Sequence, residues 1–344
     1  MRMTAAPAPQ VKAAPRIAFL GLGWIGRHRM RAICDGTKVE VVGLADPSDD
    51  CLAEAAALAP EAATGRTLDD LLATRPDGVV IATPSALHAE QTIRALDAGC
   101  AVFCQKPLGR TEAEARAAVE AARRADRLLA VDLSYRGTRA LQALRDQVQG
   151  GGLGRVFAMD LVFHNAYGPD KPWFYDKAQS GGGPLMDLGV HLIDSALWCL
   201  DFPRIDRIAG RICREGNPNV PEDQVEDYAS ASLTTDSGIA INIACSWRLH
   251  AGTEAKIEMH VHGTGGGASL TNPGGGFYDF AAHRHDGTAT RELVGPPDDW
   301  GGRMAQAWAR QLAVDPRFEP QAERLVDLAR VIDGIYGQAR GGRS

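Results

Sequence analysis

The stretch Ile17-Ala18-Phe19-Leu20-Gly21-Leu22-Gly23-Trp24-Ile25-Gly26 reads as a short buried strand that passes through a glycine turn into a helix. Ile25 to Cys34 continues the helical pattern, and Val39 to Ala45 reads as a second buried strand stopped by Asp46-Pro47. Strand, glycine turn, helix, strand and acid in this order describe a unit built to hold a dinucleotide. Gly21, Gly23 and Gly26 allow a tight turn and close approach of a pyrophosphate. Trp24 and Ile25 open the helix whose N-terminus it rests on. Asp46, about 20 residues downstream, is in position for a ribose. The competing reading is an ordinary strand-to-helix turn with Asp46 capping the next helix, and the order of the elements argues against it.

The alternation continues outward. Gly78 to Ala82 is a strand ending at Thr83-Pro84, Ala86 to Ala98 a helix stopped by Gly99, and Ala101 to Gln105 a strand ended by Pro107. Glu112 to Ala125 is a helix with Thr111 as its candidate N-cap, and Leu128 to Leu133 another strand. Repeated βαβ units predict a doubly wound parallel sheet. After Tyr135 the texture changes. A helix over Thr138 to Val148 and another over Leu188 to Leu200 accompany strands at Val156–His164, Ile205–Cys213, Tyr228–Thr234, Ile239–Trp247 and Lys256–His262. Thr235-Asp236-Ser237-Gly238 reads as a hairpin turn. The chain ends in helices over Arg303–Leu312 and Gln321–Tyr336. The predicted fold is α/β: a Rossmann domain over residues 16–135, then an α+β domain over 136–344 with a large, mostly antiparallel sheet covered on one side by helices. Residues 1–15, rich in Ala and Pro, read as a disordered tail.

A length of 344 residues suits two domains, and a net charge of −6 without a basic block argues against nucleic acid and anionic membranes as partners. No apolar run is long enough to span a bilayer. Seven scattered cysteines without a CxxC pattern suit a reducing cytoplasm.

The chemistry-bearing residues fall at strand ends and in one later segment. Thr83-Pro84-Ser85 and His88 follow a parallel strand, where ligands bind, and border the nicotinamide half. The plain alternatives are an N-cap for Ser85 and a solvent-facing position for His88. Gln105-Lys106-Pro107 ends the next strand on the same rim, where Lys106 can donate to a substrate oxygen. Gly181-Gly182-Gly183-Pro184-Leu185-Met186-Asp187-Leu188-Gly189-Val190-His191 brings glycines that admit a ligand, then an acid and an imidazole about one helical turn apart. On one face, Asp187 would orient His191 as a general base. The same spacing suits two metal ligands with Asp194 as a third, but no second His or Cys cluster completes a site, so no metal is expected. His260-Val261-His262 and His283-Arg284-His285 read as exposed polar positions. Tyr167-Gly168-Pro169-Asp170-Lys171 matches a YxxxK pattern that needs a helix, which Gly168-Pro169 disfavours. Lys171, Trp173 and Tyr175 lie close to the glycine run in sequence, and His164, Asn165, Trp173 and Trp247 are candidates to line a sugar site.

Together these residues resemble the glucose–fructose oxidoreductase/inositol dehydrogenase/rhizopine-catabolism (Gfo/Idh/MocA) family. Gly21 to Gly26, Ala82-Thr83-Pro84 with His88, Lys106-Pro107-Leu108-Gly109, the glycine run, Asp187 to His191, Val225-Glu226-Asp227 and Tyr336 to Arg340 carry the resemblance, in order, across nearly the whole chain. It implies NAD(P)-linked oxidation or reduction of a sugar, cyclitol or related polyol. It also implies an open sheet that often forms an oligomer interface, here a homodimer or homotetramer. Lys106, Asp187 and His191 would be the catalytic set, with a Lys106–Pro107 bond of a kind often cis. The family usually has Glu where this chain has Gln105, which removes a charge beside Lys106 and implies either a lower pKa for the lysine or a different partner. Asp46 accepts from both ribose hydroxyls and repels a 2′-phosphate, and Pro47-Ser48-Asp49-Asp50 supplies no arginine. NAD is therefore expected over NADP. The expected chemistry is hydride transfer with His191 taking the hydroxyl proton, Asp187 holding the imidazole and Lys106 bonding the oxygen, or with Lys106 and His191 exchanged. The alternatives are a trans-diol, tetrapyrrole or amino-acid-derived ring as substrate, or a non-catalytic dinucleotide-binding regulator.

Overall fold

The computed structural model describes residues 14–341, so the tail expected over residues 1–15 falls outside the described residues except for its last two. The first sheet is built from β1 (Arg16–Leu20), β2 (Glu40–Ala45), β3 (Ala63–Gly65), β4 (Gly78–Ile81), β5 (Ala101–Cys104) and β6 (Leu129–Val131). All its pairings are parallel, in the order β3-β2-β1-β4-β5-β6. The helices are α1 (Trp24–Gly36), α2 (Asp49–Ala56), α3 (Leu68–Ala73), α4 (Ser85–Asp97) and α5 (Glu112–Ala125). The strand order reverses between β1 and β4, so a crevice opens where Leu20-Gly21 and Ile81-Ala82 leave the sheet. Strands β1, β4 and β5 are buried on both faces, which is why they read as unbroken apolar runs. Thr111 caps α5 as expected, its side chain accepting from Glu114 N. The segment α2-β3-α3 was not read from sequence, because β3 is a short, largely exposed edge strand with no alternation.

The chain then forms α6 (Arg139–Gln149), β7 (Val156–Asn165), α7 (Lys177–Ser180), a π-helical turn at Leu185–Gly189, and α8 (Val190–Cys199). The second sheet adds β8 (Ile205–Cys213), β9 (Tyr228–Thr235), β10 (Ala240–Ser246), β11 (Ala255–Gly263), β12 (Gly266–Thr271), β13 (Ala281–Asp286) and β14 (Ala289–Val294). Its order is β14-β13-β12-β11-β7-β10-β9-β8, antiparallel except for β7 with β10. The Thr235–Gly238 turn joins β9 and β10 as an antiparallel hairpin. The sequence reading missed β12 to β14, since β14 is mostly exposed and β12 opens on consecutive glycines.

Helices α6, α8 and α10 (Arg324–Gly341) pack on one face of this sheet. The other face carries a polar row: Ser232 bonds Asn242, Asn242 bonds Asp160, and His262 bonds Asp160. His260 and His262 lie on it as half-buried polar positions. The division expected at residue 135 puts α9 (Arg303–Val314) in the second unit, but α9 packs on the first. Trp308 of α9 lies 5.7 Å from Phe103 of β5, ring centre to ring centre, in a core with Phe19 and Leu44.

Replacing Trp308 with Ala should therefore destabilise the first unit by about 3–5 kcal/mol. Trp308→Phe should cost under about 1.5 kcal/mol, because it keeps the ring contact and removes an indole N–H that has no partner. Denaturant unfolding of both variants measures this.

Candidate active site

The cofactor half is shaped by three glycines doing different work. Gly21 has φ +84°, and a Cβ there would sit 2.5 Å from the Ala82 carbonyl carbon. A Cβ on Gly26 would stand 2.0 Å from the Gly21 oxygen, so this glycine lets helix and turn touch. Gly23 meets nothing within 4 Å and caps α1 without a side-chain hydrogen bond. An open position at an unfilled helix N-terminus fits a pyrophosphate. Trp24 and Ile25 line the same cleft. The Asp46 carboxylate accepts from Leu22 N at 2.6 Å and Ser48 N at 2.8 Å, so it fixes the turn as well as facing the cleft. Arg66 also lines the cleft here, donating to the Pro47 carbonyl and pairing with Asp49. The sequence reading missed it because it arrives from the β3–α3 connection. These residues fit a dinucleotide.

On the opposite rim, Thr83 donates to Gln91 at 2.6 Å, and Pro84, not Ser85, caps α4. Thr83, Pro84, Ser85 and His88 line the cleft. His88 is neither solvent-facing nor free to bind a ligand. Its Nδ1 lies 2.7 Å from the Pro107 oxygen and its Nε2 2.7 Å from the Thr83 oxygen. It is a strut between two rim turns, and burial lowers its pKa. The Lys106–Pro107 bond is cis.

The chemical half departs from the expected pairing. Lys106 Nζ donates to Asp187 Oδ1 at 2.5 Å and to the Asp187 carbonyl at 2.7 Å. Asp187 Oδ2 accepts from Trp247 Nε1 at 3.1 Å. Both carboxylate oxygens are engaged, and neither by His191. Asp187 and His191 both line the cleft, but Lys106 and Trp247, arriving from other elements, occupy the two carboxylate oxygens. Among the described residues, His191 has no side-chain hydrogen bond or ion pair. Its ring lies against Tyr135 at 4.9 Å and Phe163 at 6.5 Å and faces the cleft. Burial, and then the positive charges of Lys106 and Arg29, hold its pKa well below 6.5, so the imidazole is neutral at neutral pH.

The glycine run packs against protein more than it admits a ligand. A Cβ on Gly182 would lie 1.9 Å from the Tyr336 hydroxyl, and one on Gly183 2.0 Å from the Glu226 carbonyl oxygen. The buried Glu226 carboxylate accepts from Gly183 N, Leu185 N and Tyr336 Oη at 3.1, 3.1 and 2.8 Å. This acid pins the loop that delivers Asp187.

Other expected residues divide. Asn165 and Trp173 line the cleft, and Asn165 Oδ1 is buried without a partner. His164 does not. Strand alternation turns it to the other face of β7, where it bonds Ser246 and stacks on Tyr228. Trp247 holds Asp187 instead of lining the cleft, Lys171 borders the mouth, and Tyr175 packs on Trp247. Asp194 is consumed by a two-point pair with Arg136, leaving no third metal ligand beside Asp187 and His191. No group of three or more potential metal ligands occurs among the described residues. The sequence reading did not find Tyr135, Ser134, Arg29, Asp132 and Trp300, all of which line the cleft. The cleft, about 780 Å³, lies between the two sheets' units and is large enough for a dinucleotide end with a small substrate.

Comparison with known proteins agrees with this geometry. Residues 15–133 match a model described as an oxidoreductase family, NAD-binding Rossmann fold, and residues 141–269 one described as the GFO/IDH/MocA C-terminal domain. D-glucoside 3-dehydrogenase of Escherichia coli (strain K12) is 34% identical over 95% of this chain and 96% of that protein. Inositol 2-dehydrogenase of Acidiphilium cryptum (strain JF-5) is 31% identical over 75% of this chain and 74% of that protein. Among solved structures, a 3-ketoreductase from Actinomadura kijaniata with NADP superposes with TM-score 0.81 at 20% identity, covering 94% of this chain and 98% of that one. GenD2 from gentamicin A biosynthesis with NAD gives 0.80 at 22%, covering 99% and 98%. At such identities these structures show the shared fold.

Two glycine variants separate packing from binding. Gly26→Ala should lower stability by about 1–3 kcal/mol, because backbone must move. Gly23→Ala should unfold like the parent but bind dinucleotide at least about tenfold more weakly, a loss of roughly 1.4 kcal/mol. Thermal melts and cofactor titration distinguish the two.

Proposed function

We propose a function for a chain that belongs to the Gfo/Idh/MocA oxidoreductases: transfer of a hydride between a nicotinamide and a secondary alcohol or ketone carbon of a sugar, cyclitol or related polyol. The chain is an NAD(P)-dependent oxidoreductase, and its relatives' names, glucoside and inositol dehydrogenases among them, support the substrate class. The observation that carries the reading is convergence: a lysine from the first sheet's rim and an acid and imidazole from the second unit share one cleft.

A bound dinucleotide supplies the hydride acceptor for oxidation and the donor for reduction. In the oxidation direction the neutral His191 ring takes the substrate hydroxyl proton as the C–H bond breaks. Lys106 donates to the same oxygen and steadies the negative charge that develops there. Asp187 anchors Lys106 through two hydrogen bonds and balances its charge, and Trp247 anchors Asp187. The expected Asp187–His191 dyad is thus replaced by a Lys106–Asp187 pair beside a free imidazole. Asn165 and Trp173 are in position to contact the substrate, with the unpaired Asn165 oxygen suited to a hydroxyl.

NAD is the preferred cofactor in this reading. The Asp46 carboxylate lines the cleft, where it would repel a ribose 2′-phosphate, and the guanidinium of Arg66 is already paired with Asp49. The seven free cysteines support a cytoplasmic protein. No described helix is long and apolar enough to cross a membrane. The uncovered face of the second sheet, with Phe157 47% exposed beside His262, supports a homodimer or homotetramer formed there.

Alanine at Lys106 or His191 should lower turnover by roughly 10²–10⁴ while dinucleotide binding persists. Near-normal turnover in both would remove the proposed chemistry. Because the folded-state pKa of His191 is depressed, its base form is lost only on acidification. The acid limb of kcat/KM for alcohol oxidation should therefore fall below pH 6.5, and a limb above it would exclude His191 as the base. For cofactor choice, kcat/KM should favour NAD over NADP by about tenfold or more, and the opposite ranking would refute the role given to Asp46.

A further inference from the structure

Four acids line the cleft: Asp46, Asp132, Asp170 and Asp187. Asp46 and Asp187 each have both oxygens engaged, and Asp170 is exposed and paired with Lys171. Asp132 differs. It directly follows β6 and is 1% exposed. Its Oδ2 accepts from Arg29 Nε at 2.5 Å and from Gln105 Nε2 at 2.6 Å. Its Oδ1 is buried with no partner. A buried carboxylate oxygen without a donor is costly, so the site is incomplete until something supplies an N–H or O–H.

We propose that Asp132 Oδ1 accepts a hydrogen bond from the nicotinamide half of the dinucleotide and fixes that half over the rim. The strand order supports the choice of donor. Asp46 at the end of β2 marks the adenosine end, and the β1 turn marks the pyrophosphate. The remaining half must lie toward β4, β5 and β6, and Asp132 stands at the end of β6 beside Gln105-Lys106 of β5. The arrangement also accounts for Gln105. A glutamate there would bring a second negative charge against the Asp132 carboxylate, whereas the Gln105 amide donates to it. Arg29, standing 5.0 Å from the centre of the Trp300 ring, supplies the balancing positive charge. The donor on the cofactor is either a ribose hydroxyl or the carboxamide N–H₂, and the chemistry recognised is the same.

The inference rests on the dinucleotide reading of the cleft, and a ladder of ligands keeps the two apart. Asp132→Asn is nearly isosteric: its amide oxygen can keep Arg29 and Gln105, while its N–H₂ replaces the free acceptor with a donor. Dissociation constants for ADP, ADP-ribose and NAD are measured on parent and variant by titration calorimetry. ADP should bind both alike, and NAD should bind the variant at least about tenfold more weakly. Loss already present with ADP-ribose assigns the ribose hydroxyl as donor, and loss confined to NAD assigns the carboxamide. Equal weakening of ADP and NAD, or no weakening of either, would overturn the proposal. If Asp132→Asn does not fold, the charge-balanced R29Q/D132N variant is put through the same ladder with the same criteria. Failure of the parent to bind any of the three would refute the dinucleotide reading itself, and this inference with it.

Discussion

The ion pair between Lys106 and Asp187 is the contact on which the site depends. It joins the end of β5 to the π-helical turn before α8, 81 residues apart in the chain. The two side chains are only 18% and 15% exposed, so water screens the pair little and neither charge could stand alone cheaply. The contact also sets the roles of the neighbours. Because Asp187 is taken by Lys106 and Trp247, His191 stays unbonded and open to the cleft. A carboxylate shared with the imidazole would instead have favoured its charged form.

That pair is held by a second layer that does no chemistry. Glu226 gathers two backbone N–H groups and the Tyr336 hydroxyl, and the glycines at 182 and 183 are what allow these groups to come so close. The buried acid is satisfied by three donors, so it rigidifies the loop and avoids the penalty of an unpaired charge. On the other rim His88 plays a comparable part, tying the Thr83 and Pro107 turns together through their carbonyls. Both walls of the cleft are thus fixed by polar side chains reaching across turns, while the His191 ring and the Asn165 oxygen are left unengaged.

What could be read from sequence was what is local. Strand, glycine turn, helix and acid follow one another within a single βαβ unit, so their pattern survives without knowledge of packing. The segment from Gly181 to His191 was recognisable because unusual residues crowd together. Its internal pairing was not, because Lys106 and Trp247, the partners that take Asp187, come from segments distant in the chain. Asn165 and His164 show the same limit. They are neighbours on β7, and only the sheet's orientation decides that one faces the cleft and the other the opposite side. Arg29 and Asp132 meet across 103 residues, and no periodicity connects them. β14 was missed because an exposed strand lacks the apolar alternation that betrays a half-buried one.

The charges in the cleft bear directly on the proposed proton transfer. Lys106 is balanced by Asp187 and Arg29 by Asp132, so the two strongest cations near the imidazole are each paired with an acid. They are still close enough, with burial, to keep His191 from holding a proton before substrate arrives. A base kept neutral by its surroundings is weak in the ground state. In the proposed chemistry it needs help from the oxygen it deprotonates, and Lys106, donating to that same oxygen, would stabilise the anionic character that develops there. The lysine therefore acts in two opposed ways, lowering the basicity of His191 and raising the acidity of the alcohol. The second effect is the larger where the oxygen lies within hydrogen-bonding distance of Nζ and the ring is reached only through space, since Coulomb energy falls with distance. In the proposed oxidation the proton would move from an activated alcohol to the neutral ring as the hydride leaves, so that the positive charge passes to an imidazolium that no carboxylate pairs with and that must release its proton before the next turnover.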